Sequence, residues 1–230
     1  MTERTSRQFQ LCLVLAVGFL IPFVSSLSIF LGWWHPGPAT RFRFVRGITF
    51  ELVCLSCLYL VLRHQKKRFR DIGIFFAVRL TELGHAFALF FGALFGGVLS
   101  YFVVIFIYVI AGRGWQQPHN NSLMVFGTSL SVLPVLFALL NPFYEELLVR
   151  AFLISETEAI YRTTALAVFV SVALQTSYHL YQGLPGALSH IPAFLLFSLY
   201  FVRTRRILPV ILAHMFMDVS ALALYFRHLH

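Results

Sequence analysis

Long apolar runs, separated by short basic stretches, are the feature that most constrains the fold of this sequence. A window of about 19 residues, the length that crosses a bilayer as a helix, finds about seven candidate spans. They cover residues 11–31, 48–62, 87–110, 126–154, 165–180, 186–202 and 207–225. The chain is only 12% charged, whereas a soluble domain has about 25% charged residues. The sequence therefore predicts an all-α, polytopic bundle of about seven to eight transmembrane helices, forming one domain over residues 1–230.

The net charge of +9 raises the question of nucleic-acid binding. The basic residues, however, are concentrated at the ends of apolar runs, at residues 63–70 and 203–206. Such clusters are typical of the cytoplasmic loops of membrane proteins. We therefore expect membrane lipids rather than nucleic acid as partners, in a multi-pass protein of the cell membrane with a cytoplasmic N-terminus. Arg41, Arg43 and Arg46 lie on the nominal outside and contradict this rule, so the topology of the first spans stays open.

Residues 71–86, between the second and third spans, differ from the spans around them. They place Arg79, Glu82 and His85 in an apolar background. This mixture predicts an amphipathic segment that lies on the membrane surface.

Charged side chains inside the spans are the first indication of function. Each costs roughly 2.5–3.5 kcal/mol on insertion scales, so those that persist need partners. In the fourth span, Glu146 and Arg150 are four residues apart and share a helix face, in the order that favours an ion pair. Glu145 points about 100° away and has no local cation. A carboxylate in such an apolar setting is suited to act as a general base.

Two histidines and a further carboxylate lie in later spans. His179 ends the fifth span, and His214 and Asp218 share one face of the seventh. Together with Glu145 they come from three helices and can meet at one point in the bundle. Two histidines with carboxylates are suited to bind zinc or another divalent metal, in which case all four are the ligands. The same set can activate a water molecule without a metal, and the residues alone leave both alternatives open.

The order and spacing of these residues resemble the motifs of a known family. EExxxR, a histidine at the end of the next span and HxxxD two spans later are similar to motifs of the CPBP (Abi) family of intramembrane proteases. That family includes CAAX prenyl endopeptidases of the Rce1 type and bacteriocin-processing or immunity proteins. The matching residues are Glu145, Glu146, Arg150, His179, His214 and Asp218. The resemblance covers residues 126–225, which we take as the catalytic core. Gln175 stands where the family usually has the Phe of FxxxH, but no catalytic group is missing.

The resemblance implies hydrolysis of a peptide bond in a peptide or lipidated protein, inside a water-accessible intramembrane cavity. Glu145 and His179 would bind and activate the attacking water. His214 and the acid four residues after it would stabilise the oxyanion of the tetrahedral intermediate. Glu146 and Arg150 would support the site structurally.

Asp218 adds a complication, because the family accepts either Asp or Asn at this position. An ionised aspartate cannot donate a hydrogen bond to an oxyanion, whereas asparagine can. Asp218 must then be protonated, orient His214 or bind a metal. This slightly favours zinc or another divalent ion.

The depths of the residues in the membrane set a condition. By helical rise, Glu145 and His214 are expected about 8 and 10 Å from the inner ends of their spans, whereas His179 comes late in a span that rises from the inside. These residues can meet only if residues 155–164 protrude from the membrane.

Two other functions are compatible with the sequence. A catalytically silent binding or immunity protein would keep the polar cluster for recognition, and only Gln175 favours this alternative. A proton-coupled transporter would use buried Glu and His side chains as a relay. Since we find no inverted repeat and no matching pair of broken helices, the transporter is the weaker alternative. The protease hypothesis accounts for the largest number of these residues.

Overall fold

The computed structural model describes residues 3–75, 80–112 and 122–228, and within these ranges the chain is helical without any strand. The α-helices are α1 (Glu3–Phe30), α2 (Arg41–His64), α3 (Leu80–Ile110), α4 (Ser122–Phe126), α5 (Val132–Glu146), α6 (Leu153–Tyr161), α7 (Thr164–Tyr178), α8 (Gly183–Ser189), α9 (Ile191–Thr204) and α10 (Leu208–Arg227). A π-helical segment, Leu147–Phe152, joins α5 to α6, and 3₁₀ turns lie at Phe69–Ile72 and Leu180–Gln182.

Five helices of the described ranges are long and apolar enough to cross a membrane. They are α1, α2, α3, the continuous helix Val132–Tyr161 and α10, and the pair α8 and α9, bent by 67°, is a sixth if it crosses as one span. The predicted spans all fall on helices, but the predicted number of seven to eight crossings is not confirmed. The fifth predicted span corresponds to α7, which has only 15 residues. At 1.5 Å per residue it reaches about 22 Å, less than the roughly 30 Å hydrocarbon core.

The helices differ in how much of their surface the bundle covers. Only 6% of the most apolar window of α3 is buried, although its mean hydropathy is 2.4, whereas half of the corresponding window of Val132–Tyr161 is buried. Exposed apolar side chains on a long helix are suited to contact lipid. The helix Val132–Tyr161 therefore forms the centre of the bundle and α3 part of its lipid-facing surface.

The predicted surface segment at residues 71–86 is partly wrong. Residues from Leu80 onward form the first turns of α3, because the apolar pattern of that helix continues back past Glu82 and His85. Arg79 lies outside the described residues.

Acidic and basic side chains pair at one end of the bundle. We call these contacts the basal ion pairs: Arg7–Glu156, Lys67–Glu156, Arg205–Glu158 and Arg206–Glu82. They connect the beginnings of α1 and α3 with the ends of α6 and α9 and the residues after α2. Both basic clusters therefore lie at the same end, as the sequence predicts. Which side of the membrane this end faces stays a prediction.

The length of the central helix bears on whether Glu145, His179 and His214 can lie at the same depth in the membrane. Val132–Tyr161 has 30 residues, which corresponds to about 45 Å and exceeds a hydrocarbon core of about 30 Å. Its last turns carry Glu156 and Glu158 of the basal ion pairs. This end of the helix is therefore long enough and polar enough to protrude, as the meeting of the three site helices requires.

Candidate active site

Glu145 lies in the last turn of α5 and is only 7% exposed. Its Oε1 accepts a hydrogen bond from Nδ2 of Asn141, one helical turn earlier, at 3.2 Å. Its Oε2 accepts two hydrogen bonds from α7, from Nε2 of Gln175 at 3.0 Å and from the hydroxyl of Tyr178 at 2.7 Å. Burial makes such donors necessary, because a carboxylate removed from water needs hydrogen bonds to replace it. Three neutral donors from two helices therefore fix the position of this carboxylate.

His179 follows the last residue of α7. Its imidazole is fixed by Gln175 and Tyr178, the two α7 residues that also bind Glu145. Its Nδ1 lies 2.8 Å from the carbonyl oxygen of Gln175, and the rings of His179 and Tyr178 have centroids 4.7 Å apart. Since a carbonyl oxygen only accepts, Nδ1 carries the hydrogen and Nε2 keeps a lone pair. Gln175 and Tyr178 thus contact both Glu145 and His179, which also interact electrostatically. The structure brings these two predicted residues into one site.

Glu146 and Arg150 form the predicted ion pair, with Oε1 and the guanidinium nitrogen 2.7 Å apart and both side chains fully buried. The same Oε1 lies 2.7 Å from Nδ1 of His214 on α10. The Arg150 guanidinium also lies over the rings of Phe194 and Phe197 on α9, at 5.4 and 5.7 Å. Glu146 therefore has a second function that spacing alone did not predict, because it connects the arginine to the histidine of the third motif.

The π-helical segment Leu147–Phe152 explains how this part of the chain differs from a regular helix. All six of its residues are buried. A π turn adds a residue to a turn of helix and is frequent at functional sites. Here it separates Glu145 and Glu146 from α6, so the residues before and after it are not in the register that a regular helix would give.

Asp218 lies one helical turn after His214 on α10. Its Oδ1 is 3.6 Å from Nε2 of His214, which is too long for a hydrogen bond. Its Oδ2 makes a long contact of 3.5 Å with Nδ2 of Asn141. Its side chain is 28% exposed, compared with 11% for His214. Asn141 thus connects the carboxyl groups of Glu145 and Asp218, and Nε2 of His214 has no close partner among the described residues.

The metal site predicted from Glu145, His179, His214 and Asp218, with zinc or another divalent ion, stays a prediction. In the ranges that the structure covers, no three His, Cys, Asp or Glu side chains are grouped so that they could bind a metal ion. The donors of Asn141, Gln175 and Tyr178 direct hydrogens at Glu145, where a cation would have to bind. Nδ1 of each histidine contacts the protein, which leaves Nε2 of each ring open to a ligand.

The predicted water-accessible cavity at this site is not confirmed. Two cavities, of about 370 and 290 Å³, lie instead at the basal end, and Lys67 lines both of them. The partial exposure of Asp218 and His214 marks the side on which the site is open.

Sequence analysis missed three residues of this region. Asn141 and Tyr178 are hydrogen-bonded to Glu145. Their positions in the sequence could have identified them, because Asn141 lies one turn before Glu145 and Tyr178 lies next to His179. Glu51 of α2 is 2% exposed, and the residue before it, Phe50, packs against Tyr144, the residue before Glu145. The argument that charges inside spans need partners applies equally to Glu51, the acid in the second predicted span, and would have identified it.

Comparison with known families agrees with this site. Residues 127–220 match the family model described as type II CAAX prenyl endopeptidase, Rce1-like. The match begins before α5 and includes the six motif residues. Comparison with curated proteins and with solved structures gives no match. The predicted resemblance is confirmed over this segment, and together with the apolar helices it supports an integral membrane protein.

Proposed function

We propose that the chain is an intramembrane endopeptidase of the CAAX-processing type. It hydrolyses a peptide bond in a membrane-associated protein or peptide, with prenylated substrates included. The observation that carries this proposal is the position of Glu145, whose carboxylate is fixed by Gln175 and Tyr178 beside the imidazole that the same residues orient. The match to the Rce1-like family supports the class of reaction.

In the proposed reaction, a water molecule binds between Glu145 and His179. Glu145 orients the water by accepting one of its hydrogens, and the lone pair on Nε2 of His179 accepts the proton as the oxygen attacks the carbonyl carbon. The C–N bond then breaks, and His179 returns this proton to the leaving amine. A general base of this kind contributes about 10²–10⁴-fold to the rate.

The oxyanion of the tetrahedral intermediate is proposed to lie beside Nε2 of His214. Because Nδ1 donates its hydrogen to Glu146, His214 acts in this scheme as the imidazolium, whose second hydrogen on Nε2 stabilises the charge that develops in the transition state. Glu146 fixes the orientation of the ring through Nδ1, and Arg150 balances the charge of Glu146. Asp218 lies beside Nε2 and acts in this scheme by orienting His214, so it does not itself need to donate a hydrogen bond to the oxyanion.

We also propose that the reaction needs no metal. The donors of Asn141, Gln175 and Tyr178 hold the carboxylate of Glu145 without a cation, and the proposed scheme uses none. A strong chelator such as EDTA is therefore expected to leave the cleavage rate unchanged. Loss of activity with EDTA and its recovery with added zinc would contradict this part of the proposal.

The test of the function uses the purified chain in lipid nanodiscs with a synthetic peptide that ends in a prenylated CAAX sequence. Cleavage is followed by mass spectrometry for the wild type, Glu145→Gln and the control Glu158→Gln, whose carboxylate lies in the basal ion pairs. We expect cleavage by the wild type and the control, and about a 100-fold loss in Glu145→Gln, because the attacking water loses its orientation. Wild-type rates in Glu145→Gln would remove this residue from the mechanism. A folded wild type that cleaves neither this peptide nor its unprenylated form would favour the binding or immunity alternative.

A further inference from the structure

Glu51 is a buried acid that the proposed reaction does not use. It lies in the middle of α2, outside the segment that matches the family, and is 2% exposed. Its Oε2 has no hydrogen-bond partner among the described residues. Buried polar atoms are nearly always hydrogen-bonded, so an unpartnered carboxylate oxygen requires an explanation. A ligand that completes the hydrogen bond is one such explanation.

The packing of α2 places Glu51 at the level of the candidate active site. Along α2, Gly47 packs directly against the ring of Phe137, and Phe50 makes an edge contact with Tyr144, with centroids 6.0 Å apart. Glu51 follows Phe50 and therefore lies at the height of the last turns of α5. This is the height at which Glu145 accepts its hydrogen bonds.

The helix on the other side of α5 brings a further acid to the same level. Asn141 of α5 contacts Asp218 of α10 at 3.5 Å, and Ala138 packs with Leu222 of α10. Helix α5 thus lies between α2 and α10. Glu51, Glu145 and Asp218 therefore lie at one level of the bundle, on three neighbouring helices.

These acids differ in the hydrogen bonds that they receive. The amide and hydroxyl donors of Asn141, Gln175 and Tyr178 all bind Glu145, and none of them binds Glu51. A peptide that enters an apolar site brings backbone N–H groups that lose water and need acceptors. Oε2 of Glu51 has no partner among the described residues, and it lies at the level of the carboxylate that orients the water in the proposed reaction.

We propose that Glu51 binds the substrate, with its carboxyl group accepting a hydrogen bond from a backbone N–H of the bound peptide beside the scissile bond. This inference rests on the proposed function. It assigns part of the substrate site to α2, and so to the half of the chain that the family match does not cover. The ligand class is an extended peptide segment.

The experiment measures kcat and KM on the prenylated CAAX peptide for Glu51→Leu, Glu51→Gln and the control Cys54→Ala. Cys54 lies one turn later on the same buried face of α2. Leucine fills the same space without an acceptor, and we expect KM to rise about 10- to 100-fold with kcat within about threefold of the wild type. Glutamine keeps an acceptor oxygen, so its KM is expected within about threefold of the wild-type value, as is that of the control.

Thermal unfolding of the same variants separates substrate binding from a structural function. Replacing an unpartnered polar group with an apolar one of similar shape is nearly neutral for folding, so Glu51→Leu is expected to unfold at or above the wild-type temperature. A wild-type KM in Glu51→Leu would overturn the inference, as would loss of folding in Glu51→Leu that glutamine restores. The Glu145→Gln variant is measured in parallel. If the proposed function is wrong, this variant remains active; if only the inference about Glu51 is wrong, this variant still loses activity.

Discussion

Two groups of buried carboxylates in this bundle have the same chemistry but different partners. At the basal end, Glu82 and Glu156 pair with arginine and lysine side chains from distant parts of the chain. In the centre, the hydrogen bonds that Glu145 accepts within the described ranges all come from neutral amide and hydroxyl groups. All three are at most 7% exposed. Burial alone therefore does not distinguish a structural acid from a candidate catalytic one.

The comparison shows that the partner decides what a buried acid can do. An arginine or lysine neutralises the carboxylate and fixes the ends of two helices together. Neutral donors fix the geometry of the carboxylate but leave its charge available to a ligand. Glu146 combines both arrangements, since it binds Arg150 and His214. We therefore expect changes at the basal end to alter stability and changes around Glu145 to alter the reaction.

The largest effect on stability is expected for Arg150→Ala. This change leaves the fully buried carboxylate of Glu146 without its cation, and breaking a buried pair in this way costs about 3–5 kcal/mol. The free energy of unfolding in detergent, measured by denaturant titration, checks the value. A loss below about 1 kcal/mol would mean that His214 alone is a sufficient partner.

Tyr178→Phe tests the neutral donors around Glu145. The change removes the 2.7 Å hydrogen bond to Oε2 and keeps the ring that packs against His179. We expect kcat to fall about 10- to 100-fold, because a hydrogen bond to a charged group contributes this much. The control is Tyr161→Phe, whose ring is exposed at the end of α6. An unchanged kcat in Tyr178→Phe would show that Glu145 does not depend on α7 for its position.

Glu156→Gln tests the basal ion pairs, for which we expect an effect on stability and none on the reaction. The carboxylate has two cationic partners, Arg7 and Lys67, that are about one quarter exposed and can regain water when the charge is lost. We expect a loss of about 1–3 kcal/mol in the free energy of unfolding, with kcat per folded molecule unchanged. A fall in kcat comparable to that of Tyr178→Phe would contradict the separation of the two groups.

The smallest effect is expected for Arg205→Gln. Its guanidinium is 49% exposed and pairs with Glu158 at 2.6 Å. Exposed pairs contribute about 0–1 kcal/mol, so the midpoint of thermal unfolding should barely change. A loss of unfolding free energy as large as that of Glu156→Gln would show that the basal ion pairs act as one coupled network.

The sequence predicted the helical class and the position of each apolar segment, because hydropathy depends on local composition. It did not predict how the segments cross the membrane. The bend of 67° between α8 and α9 lies at His190, beside Pro192, inside the sixth predicted span, and a hydropathy window averages over such a break. The π-helical segment Leu147–Phe152 has no signal in composition either.

The sequence predicted only part of the candidate active site, because local spacing does not show how distant helices pack. Spacing within one helix was enough to predict the ion pair of Glu146 and Arg150. The hydrogen bonds from Gln175 and Tyr178 to Glu145 join residues 30 and 33 positions apart, and they depend on how α5 and α7 pack. Contacts of this kind are set by tertiary structure, so the side-chain pattern of either helix alone did not reveal them.

The central claim is that Glu145 and His179 act together on one water molecule. A double-mutant cycle tests it most directly, with single-turnover cleavage of the prenylated CAAX peptide by the wild type, Glu145→Gln, His179→Ala and the double variant. Because residues that act as a unit are strongly non-additive, the double variant is expected to be no slower than the slower of the two single variants. Penalties that multiply in the double variant would show that the two residues act independently and would contradict the account.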